Sequence, residues 1–165
     1  MIYAYAKVGK YYDALKLFEE ASLKAILNKK MFEGLIEAYS VHVEKEILKA
    51  NEVDEENLNV TTSSIYRQIH LERVMMEISI EPALKIYSKM LKLNFTPNIT
   101  TITRIIRLAG RLRRFSVIED MQREIERFSI KFDLQAYEVL IFAQMNCGRS
   151  EDAEDSLKMA LSSCK

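Results

Sequence analysis

Apolar residues recur along this chain at steps of three and four, the spacing of one helical face. They come in short runs broken by Gly, Asn, Asp and Pro. In "LQAYEVLIFAQMN", Ala136, Val139, Leu140 and Ala143 share such a face. Cys147-Gly148-Arg149 ends the run, as Gly does after a helix. A second helix is predicted in "SEDAEDSLKMAL", with Ser150 as its N-cap and acids in its first turn. The front of the chain has the same layout: "VGKYYDALKLFEEA" repeats the order of "CGRSEDAEDSLKMA". Gly148 lies 139 residues beyond Gly9, which is 4×35−1.

The number 35 recurs. Ala83, Ile118 and Ala153 each lead an apolar stripe and stand 35 apart. So do Asn98 and Asp133, Ile105 and Leu140, and Ile106 and Ile141. "MIYAY" matches "LIEAY" at a step of 34. Units therefore begin at Lys29, Ser64, Ile99 and Leu134, behind a truncated unit, 1–28, in which Met1 falls inside a helix. Each unit reads as a helix A, a turn and a helix B. Pro82 falls in the first turn of a helix B, where its missing N–H does no harm. The second unit, 29–63, departs from the rule: "LKANEVDEENLNVTTS" has no apolar stripe. Either its helix A runs on to about Ala50 and an acidic loop follows, which we favour, or its helix B is degenerate. A helix pair cannot bury its apolar face alone, whereas stacked pairs can. The expectation is an all-α chain forming one array over 1–165. It would be an α-solenoid of about five units (1–28, 29–63, 64–98, 99–133 and 134–165) whose concave side is lined by helices A.

Composition supports helix and narrows the function. Of 165 residues, 48% are hydrophobic, with only 4 Gly and 2 Pro, so a core can form. Twenty-four basic residues balance 24 acidic ones, and any contact with nucleic acid must be local. Cys147 and Cys164 form neither a disulfide framework nor a metal spacing. No apolar run approaches the roughly 18 residues of a membrane span, and no signal or transit peptide is visible. No nucleophile–base pair, phosphate-cradling Gly loop or H-E-x-x-H sequence occurs, so neither an enzyme, a cofactor nor a small-molecule substrate is expected.

A 35-residue helix-turn-helix unit without Trp departs from the tetratricopeptide pattern. The chain resembles instead the pentatricopeptide repeat (PPR) family. The resemblance is carried by "MIYAYAKVGKYYDALKLFEEA", "KLNFTPNITTITRIIRLAGR", "KFDLQAYEVLIFAQMNCGRSEDAEDSL" and the closing residues Asn28, Asn98 and Asp133. It implies single-stranded RNA along the concave groove, with one base chosen per unit by the fifth residue of helix A and the last residue of the unit. Splayed single-strand bases offer edges that short polar side chains can read. The implied pairs are Glu33 with Ser63, Gln68 with Asn98, and Thr103 with Asp133, while Glu138 would pair beyond the chain. Thr103/Asp133 matches a familiar pairing, and Gln68/Asn98 is atypical. Glu33 and Glu138 depart from the pattern, as do Lys30, Thr100 and Gln135 at the second position, where Ile65 fits.

The basic cluster of the chain lies in "TRIIRLAGRLRRF". Arg104, Arg107 and Arg111 share a helical face beside Thr103. They read as phosphate contacts, or as a solvated face whose cations suit a helix C-terminus. Met75, Met76, Met90 and Met121 are read as core rather than as an adaptable binding surface. The tyrosines Tyr3, Tyr5, Tyr11 and Tyr12 either stack bases or pack against a preceding helix, of which packing is favoured. His42 and His70, lone and without Cys partners, are not read as metal ligands, and "EVDEEN" (Glu52–Asn57) is read as a solvated loop. By resemblance the chain acts in mitochondrial RNA metabolism or translation. Three readings stay open: a reader of single-stranded RNA, a subunit of an assembly such as the mitochondrial ribosome that holds rRNA and neighbouring proteins, and a protein-binding scaffold without RNA.

Overall fold

A computed structural model describes residues 1–52 and 60–163, with the side chains of 60–63 outside that description. The described residues are all-helical, without strands: α1 (Ile2–Lys7), α2 (Tyr11–Leu23), α3 (Lys29–Asn51), α4 (Val60–Glu77), α5 (Glu81–Lys92), α6 (Ile99–Arg111), α7 (Phe115–Arg127), α8 (Leu134–Asn146) and α9 (Ser150–Ser163). None is long and apolar enough to cross a membrane.

Local chemistry sets most of these boundaries. The side-chain oxygens of Asn28, Asn98 and Asp133 accept from the backbone N–H groups of Met31, Thr101 and Ala136, capping α3, α6 and α8. At the other ends, α1 and α8 stop on Gly9 and Gly148, both with positive φ. There the paired bonds Gly9 N–H to Ala6 and Lys10 N–H to Tyr5 are repeated by Gly148 to Met145 and Arg149 to Gln144. The same double closure ends α2, α5, α6 and α7, where Ala25, Asn94, Arg113 and Ser129 take the left-handed position. Pro82 sits in the first turn of α5 as expected. Ser150 does not stand outside α9 as its N-cap. It is the first helical residue, and Arg149 before it binds Asp152 at 2.9 Å.

Packing follows the apolar faces. α1 lies against α2 and α3, and α3 against α5 and α6. α6 packs on α7 and α8, and α8 on α9. The second members also touch. Lys89 of α5 binds Ser22 of α2 at 3.0 Å and lies over the Phe18 ring; Tyr87 of α5 donates to Glu124 of α7 at 3.1 Å. Arg149 covers the Phe115 ring of α7 at 4.3 Å. Ala83, Ile118 and Ala153, the leads of the predicted stripes, are all buried, as is Ala14 of α2. Phe32, Leu35, Ile102, Ile105 and Ile106 are fully buried, each such side chain contributing about 1.5–3 kcal/mol. Met90 and Met121 are core as expected, but Met76 is exposed because it lies on the outer side of α4. Tyr11 is buried against Tyr39, whereas Tyr3 and Tyr12 are exposed.

α3 runs for 23 residues, about 35 Å, to Asn51. That agrees with a helix A extended to about Ala50. The acidic stretch after it falls at 53–59, outside the described residues. α4 packs on α3, and its Leu71 and Met75, with Ile78 just beyond it, are half-buried against the core. It begins at Val60, ahead of the expected Ser64. Its Ile65, Tyr66 and Ile69 are exposed. The neighbour of α3 beyond it is α6: Arg104 of α6 lies 3.2 Å from Glu37 of α3, and Asn98 Nδ2 donates to Glu33 Oε1 at 2.8 Å.

Candidate functional site

Between α6 and α8 lies an open groove of about 700 Å³. Its floor is set by a close approach: a Cβ on Gly110 would stand 2.5 Å from Ala143 Cα. The C-terminal ends of the two helices therefore lie together. Since both N-terminal ends line the same groove, the helices run parallel.

Six of the residues expected at the site meet in this groove: Thr103, Arg104, Arg107, Arg111, Asp133 and Glu138. Their chemistry is divided along its length. Thr103, Asp133 and Glu138 occupy the N-terminal half, with two carboxylates. Arg107 and Arg111 occupy the C-terminal half, where Arg111, in the last turn of α6, also complements the helix dipole.

The groups differ in what they have left to offer. Thr103 donates its hydroxyl to the carbonyls of Ile99 and Thr100 at 2.9 and 3.1 Å, so its oxygen remains as an acceptor. Asp133 spends one carboxylate oxygen on capping α8 and is otherwise exposed. Arg104 is half-buried, its charge already faced by Glu37. Arg107 and Arg111 are exposed and make no ion pair among the described residues.

Gln68 and Asn98 are not brought to the groove. Gln68 is exposed on α4. Asn98 uses its oxygen on Thr101, through both the N–H and the hydroxyl, and its amide on Glu33. Asn98 is bonded to Glu33 of α3 rather than standing beside Gln68, because α6 follows α3 in the packing. Ser63, the expected partner of Glu33, has its side chain outside the described residues.

Sequence reasoning missed Phe142, which lines the groove and is 63% exposed. Two signals mark it. It lies off the inward stripe of Ala136, Leu140 and Ala143, and it stands 35 residues after Arg107. Cys147, just past α8, is half-buried. Burial pushes its thiol up, against a smaller downward pull from Arg113, which is the environment of an unreactive cysteine. Among the described residues no group of three or more His, Cys, Asp or Glu side chains is arranged to hold a metal ion. Compared with known proteins, the chain matches no family model and no curated protein.

Proposed function

We propose that this chain is an RNA-binding helical-repeat protein of PPR type. On this reading it is an α-solenoid of helix pairs α1/α2, α3/α5, α6/α7 and α8/α9. α4 is then carried on the extended α3, and the first helices of the pairs form the RNA-facing side. The packing order of the helices and the recurrence of caps at Asn28, Asn98 and Asp133 support it. The observation that carries the RNA reading is the groove itself. It joins unpaired arginines to the hydrogen-bonding side chains that the resemblance implies as base-choosing residues. Arginine forks suit phosphate oxygens, and acceptor side chains suit base edges.

The setting that fits best is mitochondrial RNA metabolism or translation, with the chain as a subunit of a ribonucleoprotein such as the mitochondrial ribosome. Zero net charge and only two free arginines in the groove suit a protein held in an assembly better than a free reader of one transcript. The exposed Ile65, Ile69, Tyr66 and Met76 of α4 favour a protein neighbour in addition to RNA.

Replacing Arg107 and Arg111 together with Gln should weaken binding to single-stranded RNA and lower the slope of log affinity against log salt by about 1.4, near 0.7 per phosphate contact. An unchanged slope would remove these arginines from the interface. In cells, crosslinking followed by sequencing of the bound RNA should return rRNA spread over a limited region. A single transcript would favour the free reader, and no RNA at all the protein scaffold.

A further inference from the structure

We propose that the C-terminal half of the α6/α8 groove is a one-nucleotide stacking site, in which a nucleobase lies on the face of Phe142 while its phosphate rests on Arg107 and Arg111. The inference deepens the RNA reading above and depends on it. It concerns a residue that neither the base-choosing positions nor the arginine cluster includes.

Three observations carry it. Phe142 is the large apolar side chain that lines the groove while remaining 63% exposed. Its helix had a buried side for such a residue, where Ala136, Leu140 and Ala143 already pack. Next, the residues around the ring are of the kind a nucleotide needs. Arg107 and Arg111 of the parallel α6 line the same half of the groove, and neither is ion-paired with a carboxylate among the described residues. Finally, Arg104, one turn earlier, is held by Glu37, so the free positive charge is confined to the end where the ring lies. An exposed aromatic ring beside uncompensated guanidinium groups is a stacking platform with a phosphate clamp, and it accepts any base because every base has a π-face. A duplex, whose bases are already stacked, gains nothing there.

The test measures binding of the full chain to fluorescein-labelled single-stranded decamers of A and of U at low salt. The variants are Phe142→Ala, Phe142→Leu and Phe142→Tyr, and circular dichroism checks folding. Because the ring is largely solvent-exposed, all three should fold. Stacking predicts that Phe142→Ala and Phe142→Leu weaken both oligomers about tenfold, and that Phe142→Tyr keeps the original affinity. If Leu serves as well as Tyr, the contact is merely apolar and the stacking site is overturned. If the unaltered chain binds and Phe142→Ala binds equally, the inference falls while the RNA reading stands. If the unaltered chain binds neither oligomer, both fall. A 5-iodouridine oligomer should in addition crosslink at Phe142, and a crosslink confined to other helices would overturn the assignment.

Discussion

Asn98 and Asp133 occupy equivalent positions 35 residues apart, and each caps the helix that follows it. Their burdens differ. Asp133 makes one capping bond at an exposed site, so Asp133→Ala should lower stability by about 1 kcal/mol. Asn98 also accepts from the Thr101 hydroxyl and donates to Glu33, a buried carboxylate. Asn98→Ala would strip that carboxylate of its donor and should lower stability by about 2–3 kcal/mol. Urea unfolding of the two variants checks the order; equal losses would mean that the Glu33 bond contributes nothing. Tyr39 offers a second test. It is buried, donates to the carbonyl of Ser79, and has its pKa raised from 10.0 to about 12 by burial, with Tyr11 and Tyr12 adding to the effect. A raised folded value means that the unfolded chain gives up the proton first. The contribution of Tyr39 is therefore complete below pH 10 and is lost as the pH climbs from 10 towards about 12. The Tyr39→Phe variant has no hydroxyl to ionise at this position. It should start about 1 kcal/mol less stable at pH 7, having lost the hydrogen bond. It should then fall less steeply between pH 10 and about 12 in thermal melts. A parallel fall would assign the alkaline loss to Tyr11 and Tyr87, both also raised mainly by burial.

At the scale of elements, the contact between α6 and α8 decides whether the groove exists at its observed width. Gly110 is helical and needs no unusual backbone angle; its role is the absence of a Cβ against Ala143. The atom in the way is backbone, so Gly110→Ala must push the helices apart and should destabilise by about 1–3 kcal/mol. The same variant should weaken RNA binding, since Arg107 and Phe142 sit on opposite walls. Thermal unfolding together with the RNA titration checks both effects, and a stable variant with unaltered binding would show that the helices can separate freely. The elements themselves were legible in the sequence wherever a local signal marked both ends. Asn28, Asn98 and Asp133 mark starts, Gly9 and Gly148 mark stops, and the expected 134–146 helix agrees with α8. Ends closed by Ala25, Arg113 and Ser129 were less legible, because those residue types have no special preference for the left-handed position.

For the whole molecule, the even 35-residue register made every unit equivalent, and on that footing α4 was expected to line the groove. Sequence spacing counts residues along the chain and is blind to which helix packs next. α3 runs to Asn51, close to the favoured end at about Ala50, and its partner among the later first helices is α6, joined through Glu33–Asn98 and Glu37–Arg104. By itself the sequence determined the all-helical class, the helix ends with caps or glycines, and the shared face of Arg104, Arg107 and Arg111. All of these depend on residues within a few positions of one another. Only the tertiary structure decided that Asn98 faces Glu33, that Arg104 is neutralised while Arg107 and Arg111 are free, and that Phe142 stands beside them. Those facts depend on contacts between helices far apart in the chain, where a single close approach such as Gly110 on Ala143 sets which side chains meet.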